Sequence, residues 1–278
     1  MTYHFGSVEY DFDSRTFVMG IVNVTPDSFS DGGKYFSTEA AVEHGLQLVE
    51  EGADFLDVGG ESTRPGSEPV SIEEEINRTI PVIERLAQRT TIPISIDTYK
   101  SEVARTALQA GATVVNDISG LTFDHHLVDV IAENQASVVL MHIQGNPKTM
   151  QQNPQYENVT TDVAKFLSRQ AQKAKEAGIQ QIIVDPGIGF GKTFDNNIQL
   201  LRELSIFRKI GYPVLVGPSR KSFIGTILNL PPAERVEGTA AAVAVCILNG
   251  AHIVRVHDVK AMKRVAAVID VLKEQKQQ

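Results

Sequence analysis

The residues of this chain with the most chemical capacity recur at one kind of place. Short β-branched runs end in a carboxylate, an amide or a cation: Asn23, Asp57, Asp97, Asn116, His142 and Asp185, then Lys221 just past a seventh run, then Arg255 and His257. Polar residues close strands in many proteins, because loops face water. That accounts poorly for three Asp and two Asn without a matching number of cations. Gathered at one mouth, they suit a neutral ligand rich in N–H groups, such as an aminopyrimidinone. Arg255 and His257 are two residues apart, so on a strand both side chains face one way. With Asn23 from a neighbouring strand they can hold an anion; the plainer alternative is a structural Arg–carboxylate pair beside a solvated His.

Three loops add to this set. "DPGIGFGKT" (Asp185–Thr193) resembles a phosphate-binding P-loop but has Pro186 where that motif requires Gly. Its glycines are expected instead to let the backbone approach a flat ligand held by Asp185, or simply to form a tight turn. "GGESTRPGS" (Gly59–Ser67) projects Thr63 and Arg64, a hydroxyl and a fixed cation suited to a carboxylate or phosphate. In "GPSRKSF", Ser222 and Phe223 are expected to open a short helix, with Lys221 as a point donor and Ser222 as either a ligand contact or an ordinary cap. The His125-His126 pair has no partner at metal-ligand spacing and reads as surface.

The elements that carry these residues repeat about every 30 residues, the size of a βαβ unit. The runs are Phe17–Val24, Phe55–Val58, Ile94–Asp97, Thr113–Asn116, Ser137–His142, Gln181–Asp185, Pro213–Gly217 and Ile253–Val256. Near-continuous apolar strands alternating with amphipathic helices indicate a parallel sheet covered on both faces. Eight of them predict an α/β fold, a single (β/α)8 TIM barrel occupying residues 1–278 as one domain. A small β-hairpin is expected within residues 1–16, and a frayed end at KEQKQQ. "EEGADFLDV", "LQAGATVVND", "KEAGIQQIIVD" and "LNGAHIVRV" each place Gly where a helix must stop before the next strand.

Composition removes several functions. The formal charge is −8, with no long basic run, so nucleic acid is a poor partner. The N-terminus lacks the charged start and apolar stretch of a signal peptide. The longest apolar run, Ala240–Leu248, falls short of the roughly 20 residues a membrane span needs; it reads as a helix with one buried face. The single cysteine, Cys246, excludes an internal disulfide and fits a buried residue of a cytoplasmic protein.

Seven segments, "GIVNVTPDSFSDGGKY", "DVGGESTRPG", "SIDTYK", "VVNDISG", "DPGIGFGK", "GPSRKSF" and "RVHDV", resemble the bacterial dihydropteroate synthases in order and spacing, over about residues 17–260. The resemblance implies a folate-synthesis enzyme that joins p-aminobenzoate to 6-hydroxymethyl-7,8-dihydropterin diphosphate with Mg2+, and a homodimer through exterior helices. It implies a pterin site of Asp97, Asn116, Met141, Asp185, Phe190, Lys221 and Arg255. A diphosphate site would comprise Asn23, Asp31, Arg255 and His257, with Asn23 the protein ligand to Mg2+. Phe29, Thr63, Arg64, Pro65 and Ser222 would form the p-aminobenzoate site. Asp97, Lys221, Arg255 and His257 would bear on catalysis. Val24–Gly33 would then be a mobile lid whose Phe29 closes over the p-aminobenzoate pocket. Two alternatives share part of this pattern, a pterin-dependent methyltransferase barrel and a non-catalytic pterin-binding paralogue. The first has no need of "NVTPDSFSDGG"; the second could lose Lys221 or Arg64.

Overall fold

A computed structural model describes residues 1–6, 8–25 and 34–274. A hairpin, β1 (Thr2–Phe5) and β2 (Val8–Asp11), precedes the barrel. The barrel strands are β3 (Phe17–Asn23), β4 (Phe55–Gly59), β5 (Ile94–Asp97), β6 (Val114–Asp117), β7 (Ser137–Met141), β8 (Ile182–Asp185), β9 (Leu215–Val216) and β10 (Ile253–Val256). They pair in the order β8-β7-β6-β5-β4-β3-β10-β9, all parallel. A lone parallel bridge, Val184 with Val214, closes the ring, and Val184 N–H donates to Pro213 O at 2.9 Å. The seventh strand is shorter than its sequence suggests. Pro213 and Pro218 flank it, and neither can donate a ladder hydrogen bond.

The intervening helices are α1 (Lys34–Glu50), α2 (Ile72–Arg89), α3 (Ser101–Gln109), α4 (Leu127–Glu133), α5 (Val159–Glu176), α6 (Phe194–Arg202), α7 (Ser205–Arg208), α8 (Ser222–Leu228), α9 (Val236–Leu248) and α10 (Val259–Glu274). The four expected stop glycines, Gly52, Gly111, Gly178 and Gly250, all lie in the left-handed region, φ 96–113°. The final helix runs through Lys273 and Glu274, two residues of the stretch expected to fray; the other four lie outside the described residues. Among the described residues no helix is long and apolar enough to cross a membrane. In α9, Cys246 is buried as expected, but Val245 (42% exposed) and Leu248 (52%) leave a second apolar side uncovered.

Strand side chains alternate between lumen and helix layer. Val18, Leu56, Val115, Val138 and Val254 belong to the outer layer, packed with the helices. The opposite parity faces inward: Met19, Phe55, Val114, Val139, Ile183 and Ile253 form one cluster with Phe5, Tyr10 and Phe12 of the hairpin segment. The hairpin therefore plugs the N-terminal end of the barrel with aromatic side chains. Phe5 meets Phe55 edge-on at 5.1 Å, and Tyr10 hydroxyl donates to Asp54 O at 2.8 Å. Beside them, the Asp54 carboxylate accepts from Arg15, Lys263 and the Val18 N–H.

Candidate functional site

The inward parity that builds this floor continues upward as polar residues. Two residues beyond Phe55 stands Asp57; beyond Val114, Asn116; beyond Ile183, Asp185; beyond Ile253, Arg255. Register places Asp97 beside Asn116 and Met141 beside Asp185. Asn23 ends β3, next to β10, the strand that carries Arg255. The expected strand-end residues thus surround one mouth.

Arg255 reaches across it. Its Nε donates to Asp57 Oδ2 at 2.5 Å and its Nη2 to Asp97 Oδ2 at 2.7 Å. Asn116 Nδ2 donates to the same Asp57 oxygen at 3.0 Å. Asp57, fully buried, is the hub of this cluster, and its Oδ1 has no hydrogen-bond partner among the described residues. Burial raises the Asp97 pKa to about 7 although Arg255 opposes it; the Asp57 charge adds to the rise. Asp97 can therefore hold or release a proton near neutrality.

Across the lumen, Asp185 Oδ1 accepts the Gly187 N–H at 2.7 Å, and burial raises its pKa to about 6. The Lys221 ammonium lies 4.2 Å from the centre of the Phe190 ring, a cation–π contact that sets both side chains at one edge of the mouth. Burial, reinforced by Arg255, lowers the Lys221 pKa to about 8. Two glycines of the loop after Asp185 are required by packing against protein backbone. A Cβ at Gly187 would lie 2.1 Å from His142 O, and one at Gly191 would lie 2.4 Å from Gln144 O. The close approach is thus to the neighbouring loop's backbone. Lys192 completes that junction: its ammonium, almost fully buried, donates to Phe190 O at 2.9 Å and lies 3.0 Å from His142 Nδ1. Burial lowers the His142 pKa to about 3, so the ring is neutral and Nδ1 accepts.

His257 is held from behind. Ser219 Oγ accepts the His257 backbone N–H at 3.2 Å and lies 2.9 Å from His257 Nδ1. When the Ser219 hydroxyl donates to Nδ1, the imidazole proton sits on Nε2, the nitrogen left free for a ligand. Burial, then Arg255 and Arg220, lowers the His257 pKa to about 3. This neutral donor is not the solvated His of the plainer reading, although Arg255 does form the carboxylate pairs that reading anticipated. Next to it Arg220, at φ 56°, makes a two-pronged pair with Asp258 at 2.6 and 3.0 Å. Ser222 opens α8, as expected, but the capping position is Lys221.

The loop after β4 presents Thr63 half-buried and Arg64 and Pro65 exposed. Gly66 N–H donates to Pro147 O at 3.1 Å, tying this loop to the one after β7. Phe29, Asp31 and the rest of the expected lid beyond Thr25 lie outside the described residues. His125 and His126 are exposed.

Comparison with known proteins follows this geometry. The family model described as pterin binding enzyme matches residues 19–257. The chain belongs to the pterin binding enzyme family. The matched span begins inside β3 and ends at His257, so it contains most of β3 and the other seven barrel strands whole. Dihydropteroate synthase of Synechocystis sp. is 53% identical over 270 residues, 96% of this chain and 93% of that protein. The structure of Yersinia pestis dihydropteroate synthase with a sulfonamide drug superposes with a TM-score of 0.93 at 41% identity, covering 99% of this chain and 100% of that one. Xanthomonas albilineans dihydropteroate synthase in complex with 7,8-dihydropteroate gives 0.88 at 42% identity, covering 98% and 99%.

For a pterin binding enzyme, the mouth holds more working parts than strand-end reading finds. Asp57 ended a strand in the sequence but carried no role. Ser219 and Lys192 lay inside recognised motifs yet were passed over. Their partners, His257 and His142, stand 38 and 50 residues away. No local pattern signals such pairings.

Proposed function

We infer that this chain is a dihydropteroate synthase, joining p-aminobenzoate to 6-hydroxymethyl-7,8-dihydropterin diphosphate and releasing diphosphate. The observation that carries the reading is the ring of Asp97, Asn116, Asp185, Lys221 and Arg255, two of them buried and three half-buried, at the mouth of a barrel matched over nearly its whole length by such enzymes.

The roles follow from the chemistry of each group. Asp185 has one oxygen on Gly187 and offers the other, in a dry setting, to the N–H edge of an aminopyrimidinone. Asn116 can both accept and donate at the adjoining edge. Phe190 and Met141 supply apolar faces, and Lys221 donates beside Phe190. The leaving diphosphate takes the C–O bonding pair, leaving a cation delocalised into the electron-rich dihydropterin. Asp97, once ionised, stabilises that positive charge. His257 donates its Nε2–H to the departing anion, and Arg255 and Asn23 belong to the same subsite. The aniline nitrogen then attacks and loses its proton. Thr63, Arg64, Pro65 and Ser222 hold p-aminobenzoate, with Phe29 and Asp31 assigned to the closing loop.

Mg2+ is part of this proposal. Among the described residues no three His, Cys, Asp or Glu gather as a metal cage. Asn23 provides one hard carboxamide oxygen at the strand end, and Mg2+ commonly combines one or two protein oxygens with substrate phosphates and water. This donor set fits a magnesium that arrives with diphosphate, where it would neutralise the leaving oxygens. A homodimer through α9 and α10 would cover exposed Val245, Leu248, Val268 and Val271; sedimentation of the intact chain at micromolar concentration is expected to give twice the monomer mass. One buried, free cysteine fits a cytoplasmic setting.

The deciding assay supplies both substrates and follows diphosphate release and 7,8-dihydropteroate. Release dependent on p-aminobenzoate is expected. Methyl transfer from a methylated folate, or pterin binding without turnover, would overturn the reading.

A further inference from the structure

A second buried charge cluster lies outside the residues assigned to either substrate. The Lys100 ammonium donates to Glu61 Oε2 at 2.6 Å, to Glu75 Oε2 at 2.6 Å and to Val70 O at 2.7 Å, so all three protons are used. Glu61 Oε2 also accepts the Val70 N–H at 2.9 Å, and Glu61 Oε1 accepts the Tyr99 hydroxyl at 2.7 Å. The side chains are 12%, 5% and 1% exposed for Lys100, Glu61 and Glu75. Burying two carboxylates around one ammonium is a poor way to gain stability, because desolvation offsets the attraction. Such a cluster does fix geometry.

What it fixes is the base of one loop. Glu61 and Val70 bound the segment that carries Thr63, Arg64 and Pro65, and both backbone groups of Val70 are gripped by the cluster. On the other side Gly60 O accepts from Arg78 at 2.8 Å. Between these anchors the segment is largely exposed. Lys100 stands three residues after Asp97, on the adjacent strand's loop, and Glu75 rises from α2. The cluster therefore ties the Arg64 loop to the strand that carries Asp97.

We propose that Lys100, Glu61 and Glu75 are positioning residues that set the Thr63-Arg64-Pro65 loop relative to Asp97, and so govern p-aminobenzoate affinity without touching either substrate. This rests on assigning that loop to the p-aminobenzoate subsite. The test compares steady-state kinetics of the full chain, wild type, with Glu61→Gln, Arg64→Ala and the double variant Lys100→Met/Glu75→Gln, which removes one charge of each sign. Glu61→Gln removes the charge opposite the Lys100 ammonium and leaves one acceptor oxygen where two served Lys100, Val70 and Tyr99. Its KM for p-aminobenzoate is expected to rise about tenfold, with the KM for the pterin diphosphate within about twofold, since loss of alignment falls on the substrate the loop holds. The double variant is expected to show the same split. Equal rises in both KM values, or an unchanged p-aminobenzoate KM in folded Glu61→Gln and the folded double variant while Arg64→Ala raises it, would overturn the positioning role. A rise in Glu61→Gln with none in Arg64→Ala would support the clamp and remove the contact assigned to Arg64.

Discussion

Phe55 and Asp57 stand two residues apart on β4 and point into the same lumen. Phe55 is ringed by Phe5, Tyr10 and Phe17, with centroids 4.8–6.4 Å away, and has no polar atom to satisfy. Asp57 shares Arg255 with a second carboxylate and leaves one oxygen unpartnered among the described residues. The floor is finished without a ligand, whereas the mouth is not. Asp97 and Asp185 have pKa values raised to about 7 and about 6 because their ionised forms are penalised by burial. The floor thus adds to the stability that the strand–helix layer gives the barrel, and the penalised charges above are available for binding, the usual division between scaffold and site.

The largest effect should come from breaking the floor. Phe55→Ala is expected to cost about 3–5 kcal/mol of stability, the range for deleting a buried aromatic ring. Below its lowered Tm, both substrate KM values should stay near wild type. Denaturant unfolding with kinetics at low temperature checks this; a selective rise in one KM would show that floor and mouth are coupled.

Next comes Asp185→Asn, with isothermal calorimetry on a pterin analogue. The charge behind the bonds from the pterin N–H edge disappears and one acceptor oxygen becomes a donor, so affinity is expected to weaken about a hundredfold or more. Unchanged affinity in a folded variant would end the assignment of Asp185.

The same variant carries the smallest effect, of opposite sign. Asp185 has its pKa raised from 3.8 to about 6 on folding, so the folded state binds more protons between those values and stability falls as pH rises through that window. Above pH 6 the penalty is complete, about 3 kcal/mol at most. Asp185→Asn should therefore be more stable than wild type above pH 6, with the gain fading to nothing below about pH 4. His257 and His142 have lowered values near 3 and act oppositely, losing stability as pH falls below 6.5, so the comparison is made variant against wild type at each pH. No difference at pH 8 would mean that the mouth holds its carboxylate at no cost.

The barrel was legible because its strands are short, apolar and punctuated, and because parity alone sends Asp97, Asn116, Asp185 and Arg255 into one space. Where the reading failed, distance along the chain was the cause. Arg255 meets Asp57 across 198 residues, and nothing near either residue announces the other. Glu61 and Lys100 lie in two separate motifs, and only folding shows that both grip Val70. For Ser222, assigned to p-aminobenzoate with an ordinary cap as the plainer alternative, the structure removes only the cap, which is Lys221. The glycines after Asp185 signalled a close approach, and for Gly187 and Gly191 one is made to the backbone of the loop after β7.

The alternation that stacks Asp57 above Phe55 also limits how such a protein can change. Inserting or deleting a single residue within a strand would turn every side chain beyond it to the opposite face. Asp57 would enter the helix layer and Val58 the mouth. A change of two would preserve facing but shift the height of the whole row. Length variation is therefore confined to the segments beyond the strand ends, such as Ser62–Pro69, where residues can be added without reversing any wall. Residues added there leave the wall intact but move Thr63, Arg64 and Pro65 away from the setting that Glu61 and Lys100 give them through Val70.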